Sequence, residues 1–128
     1  MILLPRSVRI YVATAPANLR KSFEGLSNEV RSVLTADPLS GHLFLFLNRR
    51  KTQVKILMWT RGGYTVLHKR LERGQFAFPS EVHAGAARVE IAAHELAMLL
   101  EGLAPATRRA SLRWDPSARS IPLAAAGT

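Results

Sequence analysis

A chain of 128 residues, 48% of them hydrophobic, is long enough to build one compact domain around a real core. Its 18 Lys and Arg against 9 Asp and Glu leave a formal net charge of +9, which favours polyanionic partners, nucleic acid first and an anionic membrane second. The lack of cysteine excludes disulfide frameworks, thiolate zinc sites and cysteine nucleophiles.

The opening Met1-Ile2-Leu3-Leu4 is cut off by Pro5 and Arg6, too short for a signal segment, and no run approaches the ~20 apolar residues of a membrane span. The expectation is a soluble, cytoplasmic protein with no membrane partner. Val8 to Val12 alternates with β-branched character and reads as a short strand. Leu19, Phe23, Leu26, Val30 and Val33 then recur at three- and four-residue steps, which predicts an amphipathic helix ending near Ala36, ahead of the Asp37-Pro38 pair. Leu43 to Leu47 is continuously apolar, so it predicts a strand covered on both faces at the centre of the sheet. Asn48 to Gln53 is a polar turn into a strand from Val54 to Trp59, and Gly62-Gly63 connects that strand to another over Tyr64 to Leu71. Alternation along this meander predicts a core face of Val54, Ile56, Met58, Leu67 and Leu71. The opposite face would carry Lys55, Leu57, Trp59, Tyr64, Val66, His68 and Arg70. Residues 84–87 read as a loop, and Leu96, Leu99, Leu100 and Leu103 predict a second, short helix stopped by Gly102 and Pro105.

The fold class expected is therefore α+β: an antiparallel sheet, made of the three-stranded meander and the short N-terminal strand, packed against one long and one short helix. Residues 1–103 form the single domain, and residues 104–128 a basic Ala/Pro/Ser-rich tail with little to bury.

The residues offer little to a catalytic reading. The carboxylates are scattered over turns and helix surfaces rather than converging as two-metal chemistry requires. His94-Glu95 opens like a zinc-protease helix, but Met98 stands where the second histidine is needed. His42, His68, His83 and His94 have no ligand-spaced companion, and there is no Walker loop, nucleophile elbow or dinucleotide fingerprint. No enzyme activity, metal, cofactor or small-molecule substrate is expected.

What remains is cationic. Arg49, Arg50, Lys51, Lys55, Arg61, Lys69, Arg70 and Arg73 fall within the meander, where Glu72 is the sole acid. Such a cluster can grip phosphates, or it can serve solubility and block edge-to-edge pairing. Trp59 and Tyr64 could stack on bases or simply pack across strands, and with His68 they could dock a protein partner. Arg20 and Lys21, placed in the first turns of the first helix, help the helix N-terminus hold a phosphate, or else Arg20 simply pairs with Glu24 one turn on.

Four motifs in order then resemble one family: Asn18 to Leu26, Asp37 to Phe44, Val54 to Leu57, and Lys69 to Phe76, with further likeness over Leu96 to Leu103. They are similar to the small TnpB-type, or Orf2-like, accessory protein of the insertion-sequence sixty-six transposable elements. The resemblance implies a non-catalytic protein encoded beside a larger transposase and needed for efficient movement of the element. Arg20, Lys21, Gly25, Lys55, Lys69, Arg70 and Arg73 are among its motif positions. Two partners follow, DNA at the element ends and the cognate transposase, with a homodimer as a further option. The alternative to DNA binding is an adaptor that docks on the transposase or self-associates through Trp59, Tyr64 and His68. Ala92-Ala93 stands where the family has a Thr-Pro pair, which implies a less sharply started last helix.

Overall fold

The computed structural model describes residues 7–77 and 85–102. The readings of the opening residues, of His83 and of the tail lie outside them. The elements are β1 (Ile10–Ala13), α1 (Phe23–Ser32), β2 (Leu43–Leu47), β3 (Gln53–Thr60), β4 (Gly63–Arg70), β5 (Arg88–Ile91) and α2 (Ala93–Leu100). This is an α+β arrangement, but its sheet is mixed rather than antiparallel. The strand order is β4-β3-β2-β1-β5, with β1 parallel to β2 and every other pair antiparallel. A parallel pair needs a crossover, and the segment carrying α1 supplies it.

β5 was not foreseen. It has four residues, two of them charged, and it exists because β1 offers it a ladder from Ile10↔Ile91 to Ala13↔Arg88. Such a strand is specified by its neighbour rather than by its own hydrophobic pattern.

The expected central strand is borne out: all five residues of β2 are buried. Alternation explains why. Leu43, Leu45 and Leu47 join Ile10, Val12, Val54, Ile56 and Ile91 beneath α2, where Leu96 and Leu99 cover them. Phe44 and Phe46 point the other way and, with Ala13 and Leu57, pack against Leu26, Val30 and Leu34 of the α1 segment.

α1 corrects the expected stripe. It starts at Phe23, so Arg20 and Lys21 precede the helix instead of occupying its first turns. Phe23 and Val33 are exposed, and Leu34 is buried in the position assigned to Val33. The reason lies at the C-terminus. The helix closes at Ser32, Val33 and Leu34 both return their N–H to Glu29 O, and Thr35 turns to a left-handed φ of 48°. That change of winding rotates Leu34 inward. Arg88 then holds the end: its guanidinium donates to Leu34 O and lies 5.0 Å from the centre of the Tyr11 ring. A cation there satisfies an orphan carbonyl and complements the helix dipole.

α2 is preceded by Ala92 at the N-cap, whose methyl group cannot cap it, yet Glu95 Oε1 accepts the Ala92 N–H at 2.8 Å. Half of the reciprocal capping arrangement is thus kept without the Thr.

Candidate nucleic-acid interface

The β2–β3 hairpin tip is built on Asn48. Its Oδ1 accepts the N–H of Thr52 and of Gln53, each at 2.9 Å, and its Nδ2 donates to Thr52 Oγ1 at 3.0 Å. Backbone bonds from Asn48 N to Gln53 O and from Lys51 N to Asn48 O close the same turn. Lys51 takes a left-handed φ of 59°, and Arg49, Arg50 and Lys51 stand exposed around it. Three consecutive cations are therefore presented on a braced loop.

The chain after β4 returns to this tip. Leu71 N donates to Thr52 O, Gln75 Nε2 to Arg50 O and Phe76 N to Lys51 O, at 2.8, 2.8 and 2.7 Å. Phe76 is buried and anchors the strap, which carries exposed Arg73 beside the tip. Arg70 lies opposite Gln53 in the ladder, and its contact with Glu72 at 3.6 Å is a solvent-exposed pair of little strength.

The first-helix cations belong to the same end of the sheet. Ala17 N–H bonds Leu47 O next to the tip, and Lys55 Nζ donates to Lys21 O at 2.8 Å. The two cationic sites read separately from the sequence thus adjoin. Their occupations differ, however. Arg20 is exposed, whereas Lys21 forms an ion pair with Glu29 at 2.7 Å, not the anticipated Arg20–Glu24 contact. The Lys21 stem lies across Gly25, where an added Cβ would sit 2.9 Å from Lys21 Cβ. This close approach accounts for a glycine inside a helix.

Lys69 is separated from the others. Its side chain is on the α2 face and donates to Leu100 O at 2.5 Å, capping the C-terminus of α2. Lys55, His68 and Arg70 do share one face. His68 is bonded to Gln53 at 2.8 Å, and its pKa is lowered by desolvation and then by the charges of Lys55 and Arg70. At neutral pH it is an uncharged hydrogen-bonding group among cations.

The face bearing these residues is covered in part by α1. Leu57 is fully buried beneath α1, and Tyr64 and Val66 pack against the same cluster. Trp59 and Tyr64 are an edge-to-face pair with ring centres 5.0 Å apart, packing across strands as registered neighbours. Trp59 is six residue steps beyond Gln53 along β3, so this pair sits about 20 Å from the cationic tip. Asn48, Gln75 and Arg88 were missed as organising residues. A polar residue opening a cationic turn was the only sequence signal for the first, and Arg88 had none.

Asn48→Ala is expected to lower stability by about 1–3 kcal/mol by stranding the turn donors. Asn48→Asp, which keeps both acceptor bonds, should recover most of that loss. Urea midpoints of the two variants check this, and equal midpoints would remove Asn48 as the brace.

Among the described residues, no three His, Cys, Asp or Glu side chains are grouped to hold a metal ion, and no helix is long and apolar enough to cross a membrane. No solved structure matches the chain. Two similar proteins of Sinorhizobium fredii (strain NBRC 101917 / NGR234) are both described as uncharacterized. Protein y4hO is 35% identical over 99 residues, covering 77% of this chain and 83% of its own length. Protein y4jC is 37% identical over 98 residues, covering 77% and 81%. The family model described as IS66 Orf2 like protein matches residues 8–110. The chain therefore belongs to the IS66 Orf2-like family, whose setting is insertion-sequence transposition in an accessory rather than a known catalytic part.

Proposed function

We propose that this protein is a non-catalytic DNA-binding accessory factor for transposition, gripping the phosphate backbone with the β2–β3 hairpin tip and the strap bound to it. The observation that carries this reading is the bracing of Arg49, Arg50 and Lys51 by Asn48, Gln75 and Phe76. Long cationic side chains on a held loop lose less freedom on meeting phosphates than the same residues on a mobile one. Arg70 and Arg73 extend the grip along the strap, and exposed Arg20 extends it toward the entry of α1, where the Lys21 and Lys55 amines are already engaged with Glu29 and with Lys21 O. Contacts of this kind position a protein on a duplex and carry no sequence information. Any choice of element ends then comes from the transposase or from DNA shape.

The test is a salt titration of binding to duplex DNA carrying an element end, beside a duplex of unrelated sequence. The logarithm of affinity should fall linearly with the logarithm of salt, by about 0.9 for each phosphate neutralised, with similar slopes for both duplexes. Absent or salt-independent binding would overturn the proposal.

A further inference from the structure

β4 is an edge strand, and among the described residues no strand lies on its outer side. Its ladder with β3 runs without a bulge from Gln53↔Arg70 to Thr60↔Gly63. The direction of its backbone groups follows from that register. Leu71 donates to Thr52 O, which makes 71↔52 a hydrogen-bonded pair, and such pairs recur at every second residue. Gly63, Thr65, Leu67 and Lys69 thus direct their N–H and C=O toward β3, whereas Tyr64, Val66, His68 and Arg70 direct theirs outward.

Protein edges are commonly blunted by proline, a bulge, shortness or a charged side chain lying over the edge. β4 has eight residues, no proline and no bulge. Its lysine, the usual guard, is drawn away to Leu100 O. Beside the open ladder, Leu67 is one of four large hydrophobic residues left exposed among those described, at 40%.

We infer that the outer edge of β4 accepts an extended, acidic segment of a partner protein as a sixth strand. A peptide backbone matches outward groups that alternate between donor and acceptor, whereas phosphates can use only the donors. An apolar peptide residue opposite Leu67 would cover it. Charge decides the rest. His68 and Arg70 line the C-terminal half of the edge on the α1 face, with Lys55 opposite His68 on β3, exposed Arg73 just beyond, and Glu72 in exposed contact with Arg70. Acidic side chains opposite His68 and Arg70 complement that half, and they would favour the charged form of His68. A second copy of this chain would instead bring its own basic strand. The inference concerns the strand edge next to the hairpin tip; it shares Arg70 and Arg73 with the proposed DNA grip but does not need DNA binding to be true.

The probe is an acetylated, amidated peptide, Asp-Thr-Glu-Val-Val-Thr-Ile, designed to run antiparallel with its acids opposite Arg70 and His68. In the full chain, amide exchange read residue by residue should slow at Tyr64, Val66, His68 and Arg70 and stay unchanged at Gly63, Thr65, Leu67 and Lys69. His68→Pro removes an outward donor without touching the β3 ladder and should weaken binding about tenfold or more, while His68→Gln binds like the wild type. Protection of both sets alike, or equal binding by the Pro and Gln variants, overturns the inference. Protection of the outward set without peptide that rises with protein concentration also overturns it, in favour of a second copy. Changing Arg49, Arg50 and Lys51 to Glu should leave the alternating protection in place, which separates this result from the fate of the DNA proposal.

Discussion

Replacing Arg49, Arg50 and Lys51 together by Glu is expected to weaken binding to duplex DNA on the order of 100-fold or more near physiological salt, because like charges set against a partner cost several kcal/mol. The fold should survive. All three side chains are exposed, and the turn is closed by Asn48 and by backbone groups, which the substitutions leave in place. The discriminating measurement is the salt dependence. If three phosphate contacts disappear, the slope should become shallower by about 0.9 for each of them. An unchanged slope with weaker binding would mean that the tip acts on DNA through something other than phosphates. Reversal of Lys69 should have a much smaller effect on DNA affinity, since its amine is engaged with Leu100 O on the opposite face. It should instead reduce stability by loosening the end of α2.

The largest effect on folding is expected at Phe44. It is fully buried on the central strand, stacked on Tyr11 with ring centres 5.7 Å apart, in the cluster with Leu26, Val30 and Leu34. Truncation to Ala removes most of a ring from a site walled by sheet and helix, where little can collapse inward. The loss should be about 3–5 kcal/mol. Against a total of roughly 5–15 kcal/mol for an ordinary domain, much of the population would unfold. Phe23→Ala is the matched comparison, since Phe23 is 46% exposed although its spacing places it on the same helical stripe. Its effect should stay within about 0.5 kcal/mol. Urea unfolding of the two variants reads both, and comparable losses would mean that α1 buries the face assigned by spacing alone.

The contrast between these two phenylalanines shows where reading by pattern stops. The three- and four-residue steps located a helix correctly, but they run from Leu19 to Val33 as though the winding never changed. Ser22 makes no side-chain capping bond before Phe23, and the chain unwinds past Ser32, so the stripe slips and Leu34 takes the buried place. A change of winding at a terminus exchanges one residue for its neighbour, and no periodicity records that.

The +9 charge and the four ordered motifs are present in the sequence itself. So are the buried β2 and the two hairpins, because continuous apolar runs, alternation and turn residues act over a few neighbours. Which cations stand together is a different kind of fact. Lys55, Lys69 and Arg70 are near one another in the chain, yet Lys69 caps a helix on the far face while Lys55 joins Lys21, 34 residues away. The parallel β1–β2 pair, β5, and the strap that fastens Arg73 beside Arg49 and Arg50 likewise depend on backbone groups finding partners over long separations. Net charge is a sum over residues and needs no fold; a cationic surface is an arrangement of those residues, and only the packed sheet decides it.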